Sequence, residues 1–309
     1  MPDEACPTSP DIIQPSDGSP TAMPDAPPAP PPGLVLVSTP IGNLGDLSPR
    51  ARAVLCAADV ILCEDTRHTA RLLAVIGAKA RLQPLHEHNE DASIPSVLHA
   101  LRQGRRVALV SDAGMPLVSD PGYRLVRAAL AEGLPVGAVP GANAAVMALV
   151  LSGLPPLPFL MLGFPPPRQA ARRAAFGQVR AVERAGLAAT LIWYEAPHRL
   201  AETLADMAEA FGARQAAVAR ELTKRFEEVR RGTLADLAAF YAANEARGEV
   251  SIVVGPPEEA DHEDLDGRLR AALDRNSVKD AAALVAAATG LPRKLVYARA
   301  LALSAAERD

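Results

Sequence analysis

The chain has 309 residues, of which 49% are apolar and 22% charged, and its formal net charge at pH 7 is −4. This composition is typical of a globular protein with room for two domains, and it excludes a generally polycationic nucleic-acid binder. Aromatic residues make up only 4%, so RNA recognition mainly by rows of stacked rings is excluded, whereas a local basic face stays open.

The first 32 residues differ in composition from the rest of the chain. They hold 11 of the 29 prolines and few large apolar side chains, so they cannot bury enough surface to offset the entropy lost on folding. We therefore predict a disordered tail over residues 1–32 and the start of folding near Gly33. Asp3, Glu4 and the lack of an apolar run argue against a secretory signal there.

Between residues 33 and 153, short apolar runs alternate with helical patterns. The predicted strands are 34–38, 59–63, 81–85, 106–111 and 135–139. The predicted helices are 48–57, 66–76, 92–103, 121–132 and 142–151. This alternation predicts an N-terminal α/β domain whose largely parallel sheet is covered by helices on both faces.

Two loops in this domain, residues 38–46 and 111–122, each follow a predicted strand and contain several glycines and prolines. Ligands bind beyond the carboxyl ends of strands in an open α/β sheet, and glycine lets the backbone approach a ligand closely. The loops therefore predict the walls of a cofactor crevice, with ordinary strand-to-helix turns as the alternative. Neither loop has the spacing of a P-loop or of a dinucleotide-binding fingerprint.

A proline-rich stretch after residue 153 predicts a boundary, and a second α/β domain follows over residues 159–256. Its predicted strands are 159–163, 189–194, 215–220, 226–231 and 250–254, and its predicted helices are 168–185, 198–210 and 233–243. Strands 215–220 and 226–231 are close enough along the chain to pair antiparallel. Residues 133–167 contain no charged side chain, but prolines interrupt them, so we predict buried core and no membrane span.

The last part of the chain is helical in pattern. Residues 257–264 are acidic and predict a linker, and helices at 265–273, 278–289 and 293–303 then predict a small helical module over residues 265–309. Gly290 and Pro292 indicate a break between the last two helices. A helix-turn-helix module and a plain helical cap on an enzyme both fit this pattern.

The three cysteines are Cys6, Cys56 and Cys63, and their spacing fits no zinc site. We predict that Cys56 and Cys63 are buried apolar residues rather than a disulfide. His86 and His88 lack a third ligand, so no metal centre is predicted. This cysteine usage favours a reducing cytoplasm.

A set of motifs in one colinear order, from residue 34 to residue 256, resembles the ribosomal RNA small subunit methyltransferase I family of the tetrapyrrole methylase superfamily. The motifs are Thr39-Pro40-Ile41-Gly42-Asn43-Leu44-Gly45-Asp46, Cys63-Glu64-Asp65-Thr66-Arg67, His88-Asn89-Glu90, the 111–122 loop, Pro140-Gly141-Ala142, Gly163-Phe164, Tyr194-Glu195-Ala196-Pro197-His198-Arg199 and Glu221-Leu222-Thr223-Lys224. The resemblance implies two α/β domains with S-adenosylmethionine between them. It also implies methylation of the ribose 2′-hydroxyl of a cytidine in the decoding centre of small-subunit ribosomal RNA.

The resemblance also implies which residues hold the cofactor. They are Pro40, Ile41, Gly42, Asp112, Ala113, Gly114, Met115, Pro116, Val118, Ser119, Ala142, Asn143 and Tyr194. Many relatives in the superfamily have Gly-Asp-Pro where this chain has Gly114-Met115-Pro116. The departure removes a carboxylate there and shifts the expected contact to Asp112 or to backbone groups.

A ribose hydroxyl is a weak nucleophile until a group accepts its proton, so acidic and imidazole side chains in these motifs are candidate bases or positioning groups. The predicted catalytic residues are Asp65, Arg67, His88, Glu195, His198 and Glu221, with Glu64 and Glu90 as further candidates. Asp65 has an alternative role as the cap of the following helix. His198 follows Pro197 at a helix start, where positioning is as plausible as proton transfer.

Basic side chains are candidates for contacts with RNA phosphates. Those on the predicted helix 168–185 are Arg168, Arg172, Arg173, Arg180 and Arg184, opposed only by Glu183, and those near the predicted hairpin are Lys224, Arg225, Arg230 and Arg231. The alternative is a solvated charged face. The predicted partners are small-subunit ribosomal RNA or the assembled 30S subunit and, from the habit of the superfamily, a second copy of the chain. Two rival functions are a small-molecule methyltransferase of tetrapyrrole biosynthesis and a non-catalytic RNA-binding assembly factor.

Overall fold

The computed structural model describes residues 31–257, 260–289 and 293–306. The predicted tail over residues 1–32 lies outside the described residues except for its last two positions. Gly290 and Pro292, at the predicted helix break, also lie outside them. Within the described residues, no helix has the length and apolar character that a membrane crossing requires.

The first sheet has five parallel strands in the order β3-β2-β4-β1-β5. They are β1 (Gly33–Val37), β2 (Val60–Cys63), β3 (Arg81–Pro84), β4 (Arg106–Val110) and β5 (Val136–Val139). The connecting helices are α1 (Pro49–Ala57), α2 (Thr66–Ile76), α3 (Glu90–Arg102) and α4 (Tyr123–Ala131), followed by α5 (Ala144–Ser152). The predicted α/β architecture of this unit is therefore confirmed. Because β1 lies between β4 and β5, the loops that follow these three strands are neighbours at one edge of the sheet.

Each face of the first sheet carries its own apolar core. Leu55, Ile61 and Leu73 belong to the cluster on one face, and Leu34, Leu101 and Leu125 belong to the cluster on the other. Helix α2 has well-defined ends, because capping residues stand at its start and at its end. The Asp65 carboxylate accepts a hydrogen bond from the Arg67 amide, and Gly77 ends the helix in the left-handed region.

The second sheet is mixed, with the order β6-β7-β10-β8-β9. Its strands are β6 (Phe159–Met161), β7 (Thr190–Glu195), β8 (Gln215–Arg220), β9 (Glu228–Thr233) and β10 (Val250–Val254), and its helices are α6 (Gln169–Arg184), α7 (Leu200–Phe211) and α8 (Leu234–Ala243). The predicted antiparallel pairing of the two hairpin strands is confirmed as β8 with the edge strand β9. Phe176, Trp193 and Phe211 form an aromatic group in the core between this sheet and its helices.

Helix α5 follows the first sheet in the chain but packs on the second. Its residues Ala145, Ala148 and Leu149 share an apolar cluster with Ile192 and Val253 of β7 and β10. The same cluster contains Ile41 from the loop after β1. Chain order alone assigned α5 to the predicted N-terminal domain over residues 33–153, whereas its apolar face contributes to the core of the second unit. The domain boundaries as predicted stay a prediction.

Three helices form the last unit: α9 (Ala260–Leu273), α10 (Val278–Thr289) and α11 (Arg293–Ala306). Leu269, Val285 and Val296 are buried in one cluster that all three helices share. The predicted helical module is confirmed. The predicted linker over residues 257–264 is wrong in part, because α9 begins at Ala260, and acidic residues are acceptable in the first turn of a helix.

One prediction about the cysteines is also wrong in part. Cys63 is buried at the end of β2, as expected, but Cys56 is exposed on α1. Helix α1 buries Ala51, Val54 and Leu55, and Cys56 follows Leu55 on the side that faces away from the sheet.

Candidate active site between the two sheets

The loops after β1 and β4 are joined by backbone hydrogen bonds. The Thr39 amide donates to the Gly114 carbonyl at 2.9 Å, and the Gly114 amide donates to the Thr39 carbonyl at 3.1 Å. The Thr39 hydroxyl donates to the Ser111 carbonyl at 3.1 Å, and the Ser111 hydroxyl donates to the Gly114 carbonyl at 2.9 Å. All three residues are buried, so the two loops form one rigid wall.

Backbone strain is concentrated beside this wall. Leu117, Ser119, Glu221 and Thr223 are the non-glycine residues with positive φ in the part of the chain that the structure describes. They fall in two short loops, one after β4 and one after β8. Residues in the left-handed region cost of order 1–3 kcal/mol each and cluster at functional sites.

A cavity of about 370 Å³ lies between the two units. The first sheet contributes Ile41, Asp112 and most of the loop that follows Asp112, and the second contributes Tyr194, Leu222 and Ser251. Gly114, at φ 85°, brings its backbone close to the wall, since a Cβ there would lie 3.3 Å from Ile41 Cγ2 and 3.4 Å from the Ala142 carbonyl oxygen. The size and mainly apolar lining are those of a small-molecule site. We call it the first cavity.

The first cavity collects most of the predicted cofactor residues. Those that line it are Ile41, Asp112, Ala113, Gly114, Met115, Val118, Ser119, Asn143 and Tyr194. Pro116 and Ala142 do not line it, and Pro40 and Gly42 face a neighbouring cavity. The Asn143 carboxamide oxygen accepts a hydrogen bond from the Val146 amide at 3.0 Å, so it caps α5. The amide nitrogen of Asn143 remains available to a ligand.

That neighbouring cavity, the second cavity, has a volume of about 250 Å³. It shares Ile41, Asp112, Ala113 and Glu249 with the first, so the two are adjacent. Cationic or titratable side chains border it, namely His68 and Arg71 of α2 and Lys224. Sequence reasoning missed His68 and Arg71, although their i, i+3 spacing in a helix that follows a site strand was a usable signal.

Asp65 and Arg67 pair with each other at the start of α2. The guanidinium donates to both carboxylate oxygens, at 3.2 Å from Nε and 3.0 Å from Nη2. The side-chain hydrogen bond from Arg67, then the bond from its amide, lower the pKa of Asp65 to about 2. Neither residue lines the cavities. Asp65 therefore acts as the helix cap, the alternative role, while the Arg67 side chain stays 86% exposed.

The Glu195 carboxylate borders the first cavity but is held by the protein itself. It forms an ion pair with Arg199, and it accepts hydrogen bonds from the Thr203 hydroxyl at 2.5 Å and from the Ala196 amide at 2.7 Å. These contacts anchor the turn after β7. The geometry favours a structural role for Glu195 rather than proton transfer.

The other predicted catalytic residues lie outside both cavities. Glu221 binds Lys224 Nζ at 2.9 Å and the Glu249 amide at 3.1 Å, and the Lys224 hydrogen bond lowers its pKa. His88 and His198 are exposed. Glu90 is buried and accepts hydrogen bonds from Arg124 and the Leu125 amide, which joins α3 to α4.

One acidic residue that sequence reasoning left out of the site, Asp120, lines the first cavity. Burial, then Glu64, then Asp112, raise the pKa of Asp120 to about 7. Its sequence context, Ser119-Asp120-Pro121-Gly122, has the composition of a simple turn, and this hid it.

The predicted RNA-binding face of α6 is corrected by the structure. Arg172 is fully buried, and its Nε donates to Asp206 of α7 at 2.7 Å. Arg173 also pairs with Asp206, and Arg180 pairs with Glu183. The sequence pattern counted cations on one helix but could not show that α7 supplies their partner. Arg168, just before α6, and Arg184, at its end, are the arginines of this set that are exposed and unpaired among the described residues.

The basic residues near the hairpin are also mostly engaged. Arg230 pairs with Glu228 and lies 3.6 Å from the centre of the Phe240 ring, and Arg231 donates to the carbonyls of Leu151 and Ser152. Lys224 holds Glu221 and Glu249 at the edge of the second cavity. Arg225 lies over the exposed Phe226 ring and is the hairpin cation that faces solvent.

Comparison with known proteins finds two family models. The model described as Tetrapyrrole (Corrin/Porphyrin) Methylases matches residues 33–238, and the model described as RsmI C-terminal HTH domain matches residues 259–304. The first model covers more than half of the chain, and the second coincides with the α9–α11 unit.

Two similar sequences carry the same name. The protein named Ribosomal RNA small subunit methyltransferase I from Mesorhizobium japonicum is 46% identical over 276 residues, 88% of this chain and 92% of the relative. The protein of the same name from Escherichia coli O157:H7 is 42% identical over 275 residues, 87% of this chain and 94% of the relative.

Solved structures agree on the fold. Uroporphyrin-III-C-methyltransferase from Thermus thermophilus superposes with a TM-score of 0.50 at 26% identity, covering 72% of this chain and 93% of that one. The methyltransferase CobJ superposes with a TM-score of 0.54 at 20% identity, covering 72% of this chain and 94% of that one, and supports the fold alone.

Proposed function

The chain belongs to the ribosomal RNA small subunit methyltransferase I family, and from that premise we propose that it methylates small-subunit ribosomal RNA. In this proposal S-adenosylmethionine is the methyl donor. The acceptor is the ribose 2′-hydroxyl of a cytidine in the decoding centre of the 16S RNA. The single observation that carries the proposal is the pair of adjacent cavities at the shared wall of Ile41, Asp112 and Ala113, inside a chain of this family.

The first cavity fits the donor by size and by chemistry. Its volume of about 370 Å³ lies in the range of small-molecule sites, and its walls combine apolar side chains with a few polar groups. A side chain at Gly114 would fill the space next to Ile41, so this position needs glycine for contact as well as for its φ of 85°. When bound, S-adenosylmethionine supplies an electrophilic methyl group on a positively charged sulfur. Asp112, Ser119 and Tyr194 are the polar side chains that would hold it there.

The chain's own contribution to this reaction is positioning and exclusion of water. Methyl transfer is an in-line displacement, so the acceptor oxygen, the methyl carbon and the sulfur must be aligned. The rigid wall between the loops after β1 and β4, with the strained 117–119 backbone in the second of these loops, would hold the donor in a fixed position. Phe164 packs on Tyr194 with ring centres 5.6 Å apart and covers the cavity from the second unit.

The second cavity supports a nucleotide as acceptor. Arg71 and His68 project from α2 at its edge, and the exposed Arg67 lies one turn away on the same helix. These side chains suit phosphate groups, while the apolar Leu44, Leu72 and Val75 suit a base taken out of a stack. The α9–α11 unit, which matches a helix-turn-helix family, supports an additional contact with RNA.

The proposal includes a homodimer in the cytoplasm. Apolar side chains are exposed on α5 and on the segment after it: Val146, Val150 and Leu157, with Val150 71% exposed. Patches of this kind mark interfaces. The size of the proposed ribosomal substrate and the cysteine usage of the chain support the cytoplasm as the compartment.

The test is direct transfer of a labelled methyl group. Purified protein is incubated with S-adenosylmethionine carrying a labelled methyl group and either 30S subunits or free 16S RNA, and the RNA is digested and analysed by mass spectrometry. We expect one 2′-O-methylated cytidine, and loss of the same mark from the ribosomal RNA of a deletion strain. Transfer to a tetrapyrrole precursor without transfer to RNA would support the small-molecule rival. Calorimetry without S-adenosylmethionine binding would support the non-catalytic rival.

A further inference from the structure

We propose that Lys224 and Glu249 read the edge of the acceptor base in the second cavity and select cytosine over uracil, an inference that rests on the proposed 2′-O-methylation. Both side chains line that cavity. The sequence pattern indicated Lys224 only as a contact to RNA phosphates, and Glu249 belongs to none of the motifs of the resemblance. Apolar walls contact the faces of a base and cations contact phosphates, so a specific edge contact has to come from other groups.

The pair stands where the two cavities meet. Glu249 lines both cavities, whereas Lys224 lines the second one alone. The second sheet provides Glu249 at this border, and the first sheet provides Ile41, Asp112 and Ala113. A nucleoside that turns its ribose to the first-sheet side of the border, toward the donor, can therefore present its base edge to Lys224 and Glu249.

Contacts within the protein fix both side chains and still leave hydrogen-bonding capacity. Lys224 Nζ donates to Glu221 Oε1 at 2.9 Å and to Glu249 Oε2 at 3.2 Å. An ammonium group has three N–H donors, so one of them remains for a ligand. Among the described residues, no group donates a hydrogen bond to Glu249 Oε1. The pair thus presents one donor and one acceptor side by side.

The backbone on both sides of the pair is shaped to hold it. Glu221, in the loop after β8, has φ 51°, and Gly248 has φ 80°. A Cβ at Gly248 would overlap Glu221 Oε1, the atom that accepts from the Glu249 amide at 3.1 Å. A Cβ at Gly42 would overlap Lys224 Cγ, so the lysine stem packs on the loop after β1. Strained backbone of this kind is found at ligand clamps.

The charge of this cluster disfavours a phosphate as its ligand. Lys224 lies between two carboxylates, Glu221 and Glu249, so one positive and two negative charges leave a net charge of −1. Burial lowers the pKa of Lys224, but the hydrogen bonds and charges of the two glutamates outweigh it and raise the pKa, so the ammonium stays protonated. An anionic cluster repels phosphate, whereas the uncharged edge of a base can bind to it.

Cytosine and uracil differ at the edge that such a pair would contact. Cytosine has the N4 amino donor next to the N3 acceptor, whereas uracil has the O4 acceptor next to the N3–H donor. Glu249 Oε1 can accept from the N4 amino group while the remaining N–H of Lys224 donates to N3. With uracil, two acceptors face each other and two donors face each other. The pair therefore favours cytosine by matching and rejects uracil by repulsion.

The first experiment compares Glu249→Gln with the wild-type protein on 30S subunits reconstituted with 16S RNA that has cytidine or uridine at the methylated position. Glutamine can keep its oxygen on Lys224 and turn its amide N–H to uracil O4. We expect the ratio of kcat/KM for cytidine over uridine to fall by about 5–150-fold, the discrimination that one pair of hydrogen bonds to a base provides. An unchanged ratio with weaker S-adenosylmethionine binding would overturn the proposal, because Glu249 would then serve the donor.

Glu245→Gln is the matched control. Glu245 lies in the same connection between α8 and β10, is exposed and lines neither cavity. The variant removes the same charge and should keep the wild-type preference for cytidine. An equal loss of preference in Glu245→Gln would contradict the proposal, since the effect would then come from net charge and not from a contact with the base.

Lys224→Met separates base reading from phosphate binding. Methionine keeps an unbranched stem against Gly42 and removes the donor. We expect kcat/KM for cytidine to fall while the salt slope of RNA binding, measured by filter binding, stays at the wild-type value. A slope lowered by about 0.7–0.9 would identify Lys224 as a phosphate contact and overturn the proposal.

Failure of this inference and failure of the proposed function give different results. If the wild-type protein methylates cytidine and uridine at equal rates, the base-reading inference fails and ribose methylation stands. If the wild-type protein methylates no ribose in RNA, the proposed function fails and the inference fails with it.

Discussion

Two regions of the molecule hold buried or half-buried charges, and they treat them in opposite ways. Between α6 and α7, Arg172 and Asp206 are both buried and bonded to each other, and Glu183 is paired with Arg214 in the same manner. In the loop after β4, Asp120 lies in a cavity with two other acids close by and no cation bonded to it among the described residues. Buried charges are tolerated when they are paired, so an unpaired one indicates a binding or catalytic task.

The pKa values follow the same division. Burial alone would raise the pKa of Asp206, but hydrogen bonds from Arg173, Arg172 and Gln169 outweigh it and lower the pKa below 3.8. At Asp120 burial raises the pKa, and Glu64 and Asp112 raise it further. The number of charges in a region is therefore less informative than whether each charge has its partner.

The largest effect is expected from Asp206→Asn. The variant leaves the fully buried Arg172 guanidinium without its counterion, and removing one partner of a buried ion pair costs about 3–5 kcal/mol of unfolding free energy. Urea unfolding at 25 °C measures the loss. Because the pKa of Asp206 lies below 3.8, the loss should be the same at pH 5 and at pH 8. If the unfolding free energy changes by less than about 1 kcal/mol, the Arg172–Asp206 pair does not stabilise the fold. The contrast between a region of paired charges and a region with an unpaired one then fails.

The second prediction tests the wall of the first cavity. Gly114→Ala places a Cβ 3.3 Å from Ile41 and forces an L residue to φ 85°, so it should destabilise the protein by about 1–3 kcal/mol and weaken S-adenosylmethionine binding about tenfold. Gly177→Ala on α6 is the matched control, since nothing lies within 4 Å of its Cβ position. The control should stabilise the helix by about 0.5–1 kcal/mol and leave binding unchanged. Equal donor affinity in both variants would show that Gly114 is not part of the cofactor wall.

The sequence was sufficient for the elements of this fold because each has a local signal. The strands β1 and β4 are short apolar runs, Asp65 and Gly77 mark the ends of α2, and glycine and proline mark the loops. What it could not show was which sheet α5 covers. Both faces of that apolar helix look alike in sequence, and the choice depends on how the second unit packs.

The site was also predictable only in part, because local motifs are visible in the sequence and contacts made on folding are not. Motif resemblance identified the loop after β4, but it could not separate Asp120 from a turn residue or Arg172 from a phosphate-binding residue. The Arg172–Asp206 pair joins residues 34 positions apart on two helices, and the acids around Asp120 come from two strands. Such neighbours meet only after folding.

The third prediction compares exposed cations of α2 and α6 in RNA binding. Arg67→Gln with Arg71→Gln should lower the salt slope of 30S or 16S RNA binding by about 1.4–1.8, at about 0.7–0.9 for each phosphate that the protein no longer neutralises, and weaken binding about tenfold. Arg168→Gln with Arg184→Gln removes the same charge from the two ends of α6 and serves as the control. We expect no change in slope there, and filter binding at several salt concentrations measures both. If the α6 pair of substitutions lowers the salt slope more than the α2 pair does, the cations that contact RNA lie on α6, as the sequence pattern predicted.

The smallest effect is expected from Asp120→Asn, measured as a change in Tm. The same substitution at Asp206 gives the most direct comparison. The pKa of Asp120 is about 7 in the folded protein and about 3.8 when unfolded, so the folded state holds its proton more tightly. Stability from this group is therefore present below pH 3.8 and is lost as the pH rises through 7, where the charge has to be carried in the cavity. Asparagine carries no such charge. Asp120→Asn should raise Tm at pH 8 by about 2–4 °C for each kcal/mol gained, and by less at pH 5. The same substitution lowers stability at Asp206, because there the charge is paired. A fall in Tm for Asp120→Asn at both pH values would place Asp120 with the structural ion pairs.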